Sequence, residues 1–112
     1  MTSLANLLQV HGVVAALRFF DDGSLAESVG EVDPAYAGLA ADMCYANGRI
    51  MSQGGEIFTA LSDMRGWTPS QGWMMVGDRL SVCTVAEVAC FVKNGESSFN
   101  EVLKALAEVA HH

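Results

Sequence analysis

The chain has 112 residues, 51% of them hydrophobic, which is enough for one domain with a core of its own and excludes a disordered polymer. Its formal charge of −7, from 13 acidic against 6 basic residues, excludes nucleic acid and anionic membrane as partners, since both are bound mainly through Lys and Arg. No apolar stretch approaches the roughly 20 residues that cross a bilayer, and the start, MTSLANLLQVHG, lacks the marks of a signal peptide, so a cytoplasmic protein is expected.

Ser3 opens a short helix with Leu4, Leu7 and Leu8 on one face, and His11-Gly12 closes it. Residues 12–20, GVVAALRFF, are apolar on both alternating faces except at Arg18 and predict a strand covered on two sides. Asp21-Asp22-Gly23 is a hairpin signal, and Ser24 to Gly30 is the return strand. Asp33 as N-cap and Pro34 at the first helical position then open the dominant segment, Asp33 to Ser62. As a single helix it spans roughly 40 Å at ~1.5 Å per residue, more than so small a core requires.

Two stripes run along that segment. Leu39, Met43, Ala46, Ile50, Ile57 and Leu61 recur at helical spacing and are expected to face the core. Ala37, Ala41, Cys44, Gly48, Ser52 and Gly55 form a second stripe of small residues, expected to be the seam of a dimer or partner interface. The competing reading is a sheet packed tightly on the small stripe, or a helix that ends near Gly54, because glycine costs about 1 kcal/mol in a helix interior.

Met64 to Gly72 reads as a connector, followed by strands at Trp73–Val76, Leu80–Val85 and Val88–Val92, the first of them an edge strand. Ser98-Phe99-Asn100-Glu101 has the form of a capping box, and Phe99, Val102, Leu103, Leu106 and Val109 make the apolar face of a last helix. Strands apolar on both faces need cover on both sides. The predicted class is therefore α/β (α+β), in three layers, ordered helix, two strands, long helix, three strands, helix, around a five-stranded, mainly antiparallel sheet. Residues 1–110 form one domain; His111 and His112 are a terminal tail that reads as a tag remnant as well as a natural end.

In this order of elements, and in Leu7-Leu8 with Val10, Gly12-Val13, the strand ending at Asp22-Gly23 and Leu25 to Gly30 before the long helix, the chain resembles the roadblock/LC7 family. The resemblance implies a non-enzymatic module that pairs with itself or a relative through its long helices and edge strands. It also implies a protein partner, with small Ras-like GTPases among those bound by such modules. By resemblance, the long helix and the strand from Trp73 through Met75 to Val76 make the dimer interface. The helix glycines and the Arg65 to Gly72 connector depart from what can be carried over.

Of the other candidates, no catalytic set, cofactor or metal site is expected. His11 stands at a helix end and reads as solvated or capping. Cys83 and Cys90 lie opposite one another if Ala86-Glu87 is a two-residue turn, which allows a redox pair but favours two small packed residues. Gly77-Asp78-Arg79 and Gly54-Gly55-Glu56 lack the pattern of a phosphate loop. Trp67, Trp73, Met74 and Met75 cluster outside the helices, with Trp67 as a possible partner surface. The main reading is a dimeric adaptor or regulatory module; the alternative is a small-ligand or redox-sensing domain whose helix-sheet cavity is lined by Met43, Met51, Cys83 and Cys90.

Overall fold

The computed structural model describes residues 3–62 and 72–110. Residues 64–71 of the expected connector, Trp67 among them, lie outside the described residues, as do His111 and His112; the last connector residue, Gly72, instead opens a strand. The described chain begins with a 3-10 helix, Leu4–Gln9, followed by β1 (Val13–Phe19), β2 (Leu25–Gly30), α1 (Pro34–Ser62), β3 (Gly72–Val76), β4 (Leu80–Val85), β5 (Val88–Lys93) and α2 (Phe99–Ala110). The sheet has five strands in the order β2-β1-β5-β4-β3, antiparallel at every pairing. This is the predicted order of elements, with the first helix wound as 3-10.

Local chemistry explains the boundaries. Asp22 Oδ1 accepts from the Ser24 N–H at 2.9 Å and from its hydroxyl at 2.6 Å, closing the β1–β2 hairpin as an Asx turn. Asp33 caps α1 by accepting the Ala35 N–H at 2.9 Å on its side chain. Ser98 Oγ accepts the Glu101 N–H at 3.2 Å, the first half of the expected capping box. Gly30, at φ 85°, brings its backbone so close to Val14 and Ala15 that an added Cβ would collide with the Val14 carbonyl oxygen. Only glycine closes β2 in this way.

Both sheet faces are covered, as strands apolar on two sides require. On one face the 3-10 helix and α2 enclose Leu4, Leu7, Val88, Val92, Val102 and Leu106 with Cys83 and Cys90. On the other, α1 covers a smaller cluster, Leu17, Phe19, Ala41, Cys44 and Ala89, with Trp73 and Phe91 at its margin. α1 leaves edge strand β2 and returns at the opposite edge strand β3, so it crosses the whole sheet. It runs through Gly48, Gly54 and Gly55 without a break.

Candidate functional site

The two stripes of α1 are exchanged relative to the sequence expectation. Ala37 and Ala41 are 0% exposed and Cys44 4%, packed against the sheet of their own chain. Gly55 is buried, and Gly48 and Ser52 are half-buried. Leu39, Met43, Ile50, Ile57 and Leu61, expected in the core, are instead between 58% and 77% exposed, and Tyr36 extends the row at 64%. Ala46, expected with them, is exposed too. The physical reason is distance: small side chains let a helix approach a sheet closely, so the small stripe is the one that the sheet accepts. The residues first assigned to a seam between molecules, Ala37, Ala41 and Cys44 above all, are already used up within the chain. Tyr36, Met43, Ile50 and Ile57 stand seven residues apart, the repeat of a helix that packs along another helix.

Met75 is 56% exposed on β3, and Val76 beside it 62%, on a strand that pairs only with β4 among the described residues. Trp73 is half-buried and packs under α1, its indole Nε1 3.8 Å from where a Cβ on Gly48 would stand. The expected interface set is thus divided: Met75 faces out, whereas Trp73 belongs to the helix-sheet contact.

The same contact holds a cleft of about 250 Å³ between α1 and the β4–β5 turn. Phe19, Tyr45 and Trp73 form apolar walls, and Asp21, Arg49 and Glu87 stand at its margin. Register places Trp73 directly opposite Thr84, and both side chains line the cleft. Trp73 Nε1 and Thr84 Oγ1 are buried, and neither has a hydrogen-bond partner among the described residues. The Thr84 hydroxyl lies near enough to Cys44 to oppose in part the upward push that burial gives that thiol. At the rim, a hydrogen bond with Asp21 raises the Glu87 carboxyl above its ordinary range; desolvation and the Asp21 charge add to it, and Arg18 opposes. The Arg49 guanidinium sits 5.9 Å from the centre of the Tyr45 ring.

The expected cavity of Met43, Met51, Cys83 and Cys90 does not form. Both methionines point away from the sheet, at 58% and 45% exposed, and the cysteines lie under α2 on the opposite sheet face. The register does set Cys83 against Cys90, with Val85 against Val88. Both thiols are fully buried and free. Burial raises the Cys83 thiol, and burial together with Cys83 pushes Cys90 up to about 12, which disfavours the thiolate that redox exchange needs. His11 is solvated, 3.9 Å from the Glu96 carboxylate.

The cleft is not legible in the sequence because its polar groups come from five separate segments, the β1–β2 turn, α1, β3, β4 and the β4–β5 turn. The usable signal was Thr84, a polar residue inside the otherwise apolar run Val82 to Val85, once the β3–β4 register is drawn.

The sequence model of the family described as "Uncharacterized conserved protein (DUF2173)" matches residues 3–108. No curated protein matches the chain. Among solved structures the chain is similar to a roadblock/LC7 domain from Streptomyces avermitilis, with a TM-score of 0.71 at 17% identity, covering 96% of this chain and 88% of that one. It is also similar to the gliding protein MglB from Thermus thermophilus, at 0.72 and 14% identity, and to Myxococcus xanthus MglB, at 0.68 and 14%; each likeness covers 96% of this chain and 83% of the other. The fold is therefore that of roadblock/LC7 domains. No helix among the described residues is long and apolar enough to cross a membrane.

Proposed function

We propose, from the premise that this chain belongs to the DUF2173 family and has the roadblock/LC7 fold, that it is a homodimeric, non-catalytic adaptor that presents a composite surface to a second protein. The observation that carries this reading is the apolar row Tyr36, Leu39, Met43, Ile50, Ile57 and Leu61, exposed along one side of α1. A row of that length is costly to leave in water, at about 25 cal/mol per Å² of apolar surface. A second copy is the occupant that fits. Met75 and Val76 on the edge strand β3 are exposed as well, and a two-fold pairing needs only that one patch be complementary to itself.

The partner class proposed with this fold is a small Ras-like GTPase, which brings its own nucleotide; two proteins named MglB, one of them a gliding protein, share the fold. Sedimentation at micromolar concentration tests the dimer. The expected mass is twice that of the chain, and Ile50→Asp, at an exposed position, reduces it to one chain with the circular dichroism unchanged. A single-chain mass for the unaltered protein would refute the reading. Capture experiments with GTP-loaded and GDP-loaded small GTPases then address the partner.

A further inference from the structure

We propose that the cleft between α1 and the β4–β5 turn is a binding site for a small, flat, neutral nitrogen heterocycle carrying a lactam, a ring carbonyl beside a ring N–H, of nucleobase size.

The walls, the floor and the rim each contribute to the choice of ligand. Phe19, Tyr45 and Trp73 line the walls, and flat rings gain most from stacking on such surfaces. The floor offers two buried groups side by side that have no hydrogen-bond partner among the described residues: the hydroxyl of Thr84, which is 2% exposed and lies near the Cys44 thiol, and the indole N–H of its cross-strand neighbour Trp73. The indole N–H can only donate, and the hydroxyl can donate as well, so one carbonyl oxygen with two lone pairs satisfies both. Leaving two such groups buried without partners costs stability, which a ligand carbonyl returns on binding. At the rim, Asp21 and Glu87 offer acceptor oxygens, which suit a ligand N–H.

This pattern also selects against other classes. A carboxylate would meet Asp21 and Glu87, which outnumber Arg49, the single cation at the rim among the described residues. A simple amine would bring no acceptor to the floor, and a benzene-like molecule would leave both floor groups unpaired. The open stretch of α1 beside the cleft is Gly48, where a Cβ would meet only Trp73 Nε1, at 3.8 Å. Glycine here maintains space for a ligand.

The test is a titration of the full 15N-labelled chain with hypoxanthine and with uracil, following the indole N–H resonance of Trp73, which Trp73→Phe identifies by its loss. Benzoate and benzene are the controls. The expected result is a saturable downfield shift at sub-millimolar hypoxanthine or uracil, with neither control producing it. Thr84→Val, nearly equal in shape, is expected to weaken binding about tenfold, the usual loss for one buried hydrogen bond to a ligand. Gly48→Val is expected to fill the cleft and abolish the shift, while the sedimenting mass stays that of the unaltered protein. This separates the site from the dimer reading. No shift at millimolar probe, an equal shift with benzene or benzoate, or undiminished binding by both variants would overturn the proposal.

Discussion

Ala86 is the one non-glycine residue with positive φ among those described, at 53°, in the two-residue turn between β4 and β5. A side chain in that region costs about 1–2 kcal/mol of backbone strain. Ala86→Gly removes the clash and adds some freedom to the unfolded chain, so the net gain is expected at roughly 0.5–1 kcal/mol, read as a higher urea midpoint. Its neighbour Glu87 carries a pH signal. Its folded-state pKa is raised above the unfolded value, so its contribution is fully present below the ordinary carboxylate range and is lost as pH rises through the raised value. Glu87→Gln mimics the protonated form at every pH. The variant is expected to exceed the unaltered protein in stability at pH 7, with the gap closing by about pH 3.5, below the ordinary glutamate pKa. A gap that widens on acidification would contradict the Asp21 hydrogen bond. Residue-scale features of this kind are not legible in the sequence, because Asp21 and Glu87 are brought together only by the pairing of β1 with β5.

At the scale of elements, what was legible depended on whether local chemistry decided it. The caps at Asp33 and Ser98, the Asp22 turn and the two-residue turn at Ala86-Glu87 are local, and each stands where expected. That turn alone fixes Cys83 opposite Cys90. With both thiols buried and raised in pKa, a thiol reagent added to the folded chain is expected to leave this pair unmodified; denaturation should release it. Rapid reaction of the pair in the native state would restore the redox reading. The faces of α1 were not legible, since periodicity shows that two faces exist without saying which one the sheet takes. Large apolar residues normally mark the inner face. Here Ala37, Ala41 and Cys44 go inward because the sheet lies close, and the larger side chains are left outside. The glycines of α1 consequently divide. Among the described residues, Gly38 and Gly54 have no atom within 4 Å of an added Cβ beyond their own turns of helix, so no close contact there requires them. Gly54→Ala is expected to stabilise the helix by about 1 kcal/mol, whereas Gly48 keeps the cleft open. A loss of stability in Gly54→Ala would mean that a close partner lies against that turn of the helix.

At the scale of the whole molecule, the exposed apolar row and the charge act in opposition, and their balance predicts how association responds to conditions. Each copy carries −7, so two copies repel at long range, while the row on α1 contributes a salt-insensitive attraction. Screening weakens the first without reducing the second; at about 0.15 M salt the Debye length falls to about 8 Å. The dimer is therefore expected to tighten between very low salt and about 0.15 M, the reverse of an interface built on ion pairs. Because only the folded dimer gains from pairing, the thermal midpoint should also climb with protein concentration. Ile50→Asp should abolish that dependence, since it places a charge in the middle of the row where burial would strip its water. Gly48→Val, on the inward face, should retain it. If the two variants behave the other way round, with Gly48→Val monomeric and Ile50→Asp dimeric, the small stripe is the seam after all and α1 must rotate on the sheet when two chains meet.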